Sequence, residues 1–468
     1  MNLGRASALV TLSNIGRKVT VFAGLIIFAR LLGSAELGTF FLFQSLLILV
    51  SVPADFGIRN AIAKRMSEGT DMAKYFTSGF LLKTALILGT SVLLYSLLPY
   101  VNRFLGQQFG VLLVLSLVTR EISLAFNKAL VGQDRVPQAK VIELLGVLCW
   151  VLASVFFLGH GLGTVSLIYG LFIKHFFMGS MSLFFTGVIF AVPTREHIRS
   201  IYDFGKYAIV TYTSGYIYNW ADTILIGAIL GPSAVGVYEI AWRVASIFMI
   251  VSSSLGASLF PKVSRYHEEQ NISAVSDIVE KSLFASIFFI IPGVIGAHLI
   301  GDRLLEVFYG AEYVAGATVL TILTFEKLSN SANTVLKFTL NGLDQPELSA
   351  ISKFTSLFVN ILLNIILISL IGIEGAAIAT FTAAVVDTVL HHHFLSRKVN
   401  YGIEPSPVLW LILSALVMGV LVYIVDQSVV IDTVVTLLAI VFVSSGVYVC
   451  ISVASRSVRT NISELRDY

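Results

Sequence analysis

Charge is scarce in this chain. Lys, Arg, Asp and Glu make up 13% of 468 residues, against about 25% in soluble domains. With 56% hydrophobic residues and a mean hydropathy of +0.87, no polar surface could cover the molecule, and the natural solvent is lipid. A net charge of only +3 excludes a basic body for nucleic acid. Cysteine is scarcer still. Cys149 and Cys450, each inside an apolar stretch, exclude a disulfide framework and a cysteine-based metal site. No glycine-rich loop ending in Lys-Ser/Thr is present, so ATP hydrolysis is not expected, and no cofactor is called for. Met1 to Ser13 lacks a short apolar region followed by a cleavage site, so the first apolar segment is expected to remain as a helix.

What is abundant is long apolar runs. A spanning helix needs roughly 20 apolar residues, each rising about 1.5 Å through a core about 30 Å thick. That ruler predicts an all-α, polytopic membrane protein of about 14 spans. They fall at 10–32, 38–61, 76–99, 108–131, 137–159, 163–191, 204–231, 234–258, 277–300, 315–341, 346–371, 373–395, 408–425 and 430–452. Glycine, at 36 residues, permits close helix approach inside them.

Lysine and arginine then set the orientation, because cytoplasmic loops are enriched in both. With a cytoplasmic N-terminus the loops after even-numbered spans should be basic. They hold Arg59, Lys64, Arg65 and Lys74, then Lys128, Arg135 and Lys140, then Arg195, Arg199 and Lys206. Lys262, Arg265 and Lys281 follow, then Arg397 and Lys398, with Arg456, Arg459 and Arg466 in the tail. The opposite loops show only Arg30, Arg103 and Arg303. Roughly 23 basic residues fall on the cytoplasmic side, about 3 outside and about 5 within the membrane. Both termini are expected in the cytoplasm of a cell-membrane protein.

The chain also repeats itself. Leu32-Gly33-Ser34-Ala35-Glu36-Leu37-Gly38-Thr39-Phe40 joins spans 1 and 2, and Leu230-Gly231-Pro232-Ser233-Ala234-Val235-Gly236-Val237-Tyr238 joins spans 7 and 8. Gly132-Gln133-Asp134 before Pro137 matches Gly342-Leu343-Asp344 before Pro346. Both matches sit at equivalent places six spans apart, as in transporters built from parallel repeats. The expected domains are 1–200 (spans 1–6), 201–400 (spans 7–12) and 401–468 (spans 13 and 14 and a short tail).

The run Asp222-Thr223-Ile224-Leu225-Ile226-Gly227, then Leu230-Gly231, Gly236-Val237-Tyr238, Ala241 and Arg243, with Phe260-Pro261 beyond, resembles the signature of the polysaccharide-biosynthesis flippases. These form the Wzx-type branch of the multidrug/oligosaccharidyl-lipid/polysaccharide (MOP) superfamily. The resemblance covers nearly the whole chain. It implies two six-helix lobes forming a V around a central cavity, plus two C-terminal helices. It also implies export of lipid-linked oligosaccharide by alternating access, with membrane lipid and glycan assembly proteins as further candidate partners.

Charges inside spans are read physically. Each costs roughly 2.5–3.5 kcal/mol at a helix centre and needs a partner or a wet cavity. Mid-depth positions hold Arg120 and Glu121 in span 4, Lys174 in span 6, Arg243 in span 8, and Glu326 and Lys327 in span 10. Lys83 lies in the cytoplasmic third of span 3. The pairs Asp55/Arg59 and Glu239/Arg243 are spaced to close salt bridges on one helix face. Glu326 and Lys327 are adjacent, point about 100° apart and are not expected to pair. The candidate phosphate and glycan site is Arg243, Lys174, Lys327, Arg120, Arg59, Asn330 and Asn333, since cations attract a diphosphate headgroup.

Polar stripes extend that reading. Glu326, Asn330, Asn333, Lys337 and Asn341 share one face of span 10, and Thr211, Gly215, Tyr218 and Asp222 one face of span 7. Ser356, Asn360 and Asn364 in span 11 are read as interhelical hydrogen-bonding positions. Asp222, Glu326 and Asp387 are the candidate carriers of a coupling H+ or Na+. His391-His392-His393 splay around a helix axis and are not expected to bind metal. Two alternatives stand beside the flippase reading. A cation-coupled multidrug exporter would need a cavity richer in acids. A membrane glycan ligase or polymerase would need a substantial outer loop, whereas the outward loops are short, with ionisable groups only at Arg103 and around Asp302, Arg303, Glu306 and Glu312.

Overall fold

The computed structural model describes the backbone of residues 3–464 apart from 188, 189, 403 and 430. Side chains are described over the same range apart from 3, 207–219, 462 and 464. The side chains of the stripe Thr211, Gly215 and Tyr218, and the whole of Arg466, therefore lie outside what is described. Seventeen α-helices follow one another: α1 (Leu3–Asp55), α2 (Ile58–Ser67), α3 (Met72–Ser96), α4 (Leu98–Leu105), α5 (Gly110–Gly132), α6 (Val136–Leu158), α7 (Thr164–Thr186) and α8 (Arg195–Leu230). Then come α9 (Pro232–Ser246), α10 (Met249–Glu268), α11 (Ile272–Phe288), α12 (Ile291–Tyr309), α13 (Ala317–Gly342), α14 (Pro346–Ser396), α15 (Pro405–Ser428), α16 (Val434–Ala454) and α17 (Arg456–Glu464). Helix is the expected form for apolar spans, because lipid offers a backbone N–H or C=O no other partner.

Two of these helices are each two crossings. α1 has 53 residues and α14 has 51, about 80 and 77 Å at 1.5 Å per residue, far beyond one bilayer. α1 breaks at Gly33 (φ 73°, ψ 179°) and α14 at Ile371 and Gly372 (φ 69°). Span 8 is a bent pair, α9 and α10, angled at 52°. Span 9 runs on from α11 into α12, where Pro292 starts a new helix. Span 6 was expected to reach residue 191 but stops at Thr186, because Gly187 takes a left-handed turn (φ 55°). The total remains about fourteen crossings in a multi-pass membrane protein. Large apolar side chains such as Phe176 and Val435 face outward, as lipid-facing surface requires.

The described chain divides into two compact units, Met1–Gly236 and Val237–Tyr468. In the first, Ile58, Ile62, Met66, Phe76 and Ala129 form a core under the basic loops. There the connector after α7 is pinned. Ala191 N donates to Thr77 Oγ1 at 3.1 Å, and His197 bridges Thr194 (2.6 Å) and Asp71 (3.4 Å). The hydrogen bond from Lys74 holds the Asp71 carboxyl below its ordinary range, with His197 adding to the effect. In the second unit, α15 and α16 pack on α12 and α11. Gly419 lies against Ile295, and Tyr448 donates to the Phe288 carbonyl at 2.8 Å.

The repeats adopt matching backbones. Gly33 and Gly231 both take φ near +80° with ψ near 180° (73°/179° and 90°/−179°), a region that only glycine enters freely. Asp134 and Asp344 both turn left-handed (φ 58° and 57°). Arg135 N donates to the Leu130 carbonyl at 3.0 Å, and Gln345 N to the Leu340 carbonyl at 3.0 Å. Within the first unit the two copies of the glycine loop also touch. A Cβ on Gly38 would stand 1.8 Å from the Pro232 carbonyl oxygen, and one on Gly236 2.1 Å from that of Ser34. Ser34 and Ser233 hydroxyls bond across the contact at 2.8 Å. Because backbone, not a flexible side chain, fills that space, Gly236→Leu should cost about 1–3 kcal/mol. Its thermal midpoint in detergent should fall while that of Gly446→Leu, which meets open space, stays put. An unchanged Gly236→Leu midpoint would show that the contact is dispensable.

Candidate functional site

Pro53 lies in the last turns of α1 and Gly57 takes a left-handed turn before α2, which leaves Asp55 as the final residue of α1. A carboxylate is unfavourable at a helix C-terminus, and the next two helices supply its compensation. Arg59 at the start of α2 donates to Asp55 (Nε to Oδ2, 3.2 Å). Lys83 of α3 donates to Asp55 and to Glu121 of α5, the latter at 2.7 Å. Arg120 donates to Glu121 and, at 2.6 Å, to Ser51 of α1. Lys83 is 1% exposed and Glu121 0%. Three cations against two carboxylates thus tie α1, α2, α3 and α5 into one buried network. Arg59 and Arg120, two of the candidate phosphate ligands, are members of it.

Other mid-span cations carry no such partner. Lys174, midway along α7, is half-buried and close enough to Arg120, Arg17 and Glu143 to feel their charges. Glu143 is itself bonded to Lys140 at 2.9–3.0 Å. Arg17 lies about 21 Å along α1 from Leu3 at 1.5 Å per residue. Its Nε is buried without a hydrogen-bond partner. Among the described residues, neither Lys174 nor Arg17 makes a hydrogen bond or ion pair. The helix between them is α6, where Leu144 packs on Gly16 and the missing side chain of Gly146 leaves room for Met178, with the Lys174 stem in contact beside it. Arg17 escaped the sequence reading. Its signal was an arginine inside an apolar span, close to the N-terminus and so easily taken for a flank.

In the second unit the candidates are mostly paired. Arg243 donates to Glu239 one turn back on α9. Lys327 bonds Glu326 at 2.6 Å, which corrects the expectation that adjacent residues would not pair. Both side chains are long enough to swing together. The Trp242 ring, 4.9 Å from the ammonium, holds Lys327 in place by cation–π attraction. Asn330 donates to Glu326 at 3.3 Å, and Asn333 to Asp387 at 2.9 Å. Asp387 also lies 3.7 Å from Lys353 and 3.2 Å from His391. Lys353, a cation inside span 11, was not singled out from sequence. Asp222 is buried in α8. The span 11 stripe is interhelical glue, as read: Ser356 donates to the Ala383 carbonyl (2.9 Å) and Asn360 to Thr380 (3.1 Å), stitching together the two arms of α14. No His, Cys, Asp or Glu cluster able to hold a metal ion exists among the described residues.

The arrangement separates structural charges from available ones. Removing Lys83 would strand two buried carboxylates, which typically costs about 3–5 kcal/mol. Lys83→Met should therefore be poorly folded, and adding Asp55→Asn and Glu121→Gln should restore most of the lost thermal stability. A single mutant as stable as the parent would mean the network is not holding these helices.

Comparison with known proteins fits this geometry. A model of the polysaccharide biosynthesis protein family matches residues 27–318. The chain is 32% identical over 462 residues to the probable low-salt glycan biosynthesis flippase Agl15 of Haloferax volcanii, covering 98% of this chain and 97% of that one. It is 29% identical to the probable flippase AglR of the same organism, over 85% and 84% of the two chains. Among solved structures, the inward closed conformation of the lipid II flippase MurJ superposes with a TM-score of 0.78 at 15% identity, over 96% of this chain and 98% of that one. An inward-facing MATE multidrug transporter of the MOP superfamily gives 0.60 at 16% identity, over 83% and 94%. The repeated turns, the span count and an end-to-end relative agree: this chain belongs to the polysaccharide biosynthesis protein family.

Proposed function

We propose that the protein flips a polyprenyl-(pyro)phosphate-linked oligosaccharide across the cytoplasmic membrane by alternating access, for assembly of a surface polysaccharide or a glycoprotein glycan. The observation that carries this is the pair Arg17 and Lys174. Both are cations inside spans, Lys174 midway along α7 and Arg17 in the first third of span 1, and neither has a hydrogen bond or ion pair among the described residues. Leaving such charges uncompensated in a membrane is costly, and a phosphate arriving with the substrate would supply the missing anion. Arginine offers it a bidentate fork and lysine a point charge. Arg243 and Lys327, each holding a carboxylate, belong to the structural set unless the substrate displaces that partner. The basic loops support a cytoplasmic side for both termini, and in this reading the substrate is taken from the inner leaflet.

A cation-coupled drug exporter shares the fold, as the MATE structures do. An exporter of amphiphilic cations, however, would meet repulsion from Arg17 and Lys174. The coupling ion is proposed to be H+ or Na+, with Asp222, Glu326 and Asp387 as its candidate carriers. Asp387 has an amide, an amine and an imidazole around one carboxylate.

Each charge-assisted hydrogen bond to phosphate contributes about 1.5–3 kcal/mol, roughly 10- to 100-fold in affinity. Arg17→Gln with Lys174→Gln should abolish export at normal protein levels, with completed lipid-linked oligosaccharide accumulating in the inner leaflet. Arg17→Lys with Lys174→Arg should keep a measurable part. Normal surface glycan in the double glutamine variant would defeat the assignment of the phosphate site.

A further inference from the structure

One polar feature is not absorbed by a phosphate site in the first unit. Glu326, Asn330, Asn333, Lys337 and Asn341 lie within one arc of α13. Neighbouring helices fix where that arc looks. On one flank Thr334 and Phe338 pack against Gly256 of α10. On the other, Asn333 reaches Asp387 and Ser329 bonds Thr388, both on α14. Lys337 rises between these flanks and is exposed. Among the described residues it makes no hydrogen bond or ion pair. The charge of Lys353 is close enough to interact with it. Alongside, the side-chain carbonyl oxygens of Asn333 and Asn341 are buried and accept no hydrogen bond.

Two ammonium groups and two vacant amide acceptors suit a particular chemistry. A carboxylate would take the lysines, and the hydroxyls around it would donate to Asn333 and Asn341. A lipid phosphate satisfies the first requirement and not the second. We infer that the inner arc of α13 is a glycan subsite selective for an acidic, uronate-type sugar in the lipid-linked oligosaccharide. This rests on the flippase reading and narrows its substrate class. The bland explanation of Lys337 is that it stretches toward the basic end of its helix, only five residues from Gly342. That explanation gives it no sugar preference at all.

The test is equilibrium binding to the full-length protein in nanodiscs, with four probes: a short-chain polyprenyl phosphate alone, and the same lipid phosphate carrying a disaccharide that ends in glucose, glucuronate or 6-sulfoglucose. The glucuronate probe should bind about tenfold tighter than the glucose probe, the size of one charge-assisted hydrogen bond. Lys337→Gln should remove most of that preference while leaving the bare phosphate and glucose probes unchanged. Lys337→Gln with Lys353→Gln should remove all of it. The single variant keeps Lys353 beside Asp387, so a loss there cannot be blamed on misfolding of that cluster. Equal binding of glucose and glucuronate probes by the parent protein, a preference that survives in the double variant, or tighter binding of the sulfated probe would each overturn the uronate assignment. If the parent protein binds none of the four, the flippase reading fails with it. If the phosphate probe binds and only the sugar preference is missing, that reading stands and this one falls.

Discussion

A charge inside a bilayer must find its opposite within a few ångströms, and in the first unit that requirement converges on one ammonium group. Lys83 sits where water does not reach, bonded to the carboxylates of Asp55 and Glu121. Those two acids come from different helices and bring Arg59, Arg120 and Ser51 with them. Four helices are thereby fixed in register by groups that could not be buried singly. The same constraint explains why the remaining cations stand out. The network consumes its carboxylates and Lys140 takes Glu143, and neither Arg17 nor Lys174 closes an ion pair among the described residues.

The second unit meets the constraint differently. Its pairs are mostly local: Glu239 with Arg243, Glu326 with Lys327, and Asp387 with His391 are neighbours or one turn apart, while Lys353 with Asp387 and Arg303 with Asp426 join separate spans at 3.7 and 3.8 Å. Local pairs hold a helix's own surface and do little to lock one helix to another. Much of the interhelical work passes to uncharged groups, such as Ser252 with Ser331 at 2.6 Å and the amides along the first arm of α14. One unit is clamped by a buried ionic network and the other is stitched largely by amides and hydroxyls. Deformability and sensitivity to an arriving anion should therefore differ between them.

Much of this was legible from the chain and some was not, for a physical reason. Apolar runs declare spans because lipid thickness fixes their length, so α3, α5, α6, α7, α13, α15 and α16 fall close to where they were expected. Glycine loops declared the breaks at Gly33 and Gly231 and the kinship of the two halves. The i,i+4 pairs were legible too, since both members lie on one helix face. Lys83 with Asp55 and Glu121 was not, because those partners lie 28 and 38 residues away. Periodicity says which face of a helix is polar but not which helix will stand opposite. Glu326 with Lys327 was misjudged because backbone angle was given more weight than side-chain reach. Arg17 was missed because a basic residue near a terminus looks like an anchor, until a helix that begins at Leu3 carries it inside span 1.

The contact between the two glycine loops has one more consequence. Gly38 and Gly236 occupy equivalent places in the repeat, and each presses on the carbonyl of the residue equivalent to the other's partner, Pro232 and Ser34. Such a contact is self-complementary in the sense of a two-fold interface between identical subunits. It is here made within one polypeptide, where the linking chain keeps the second surface always at hand. The duplicated loops therefore cannot diverge independently. A side chain gained in one copy fills the space that the other copy's backbone already occupies, so these two stretches are bound to change together or remain as they are.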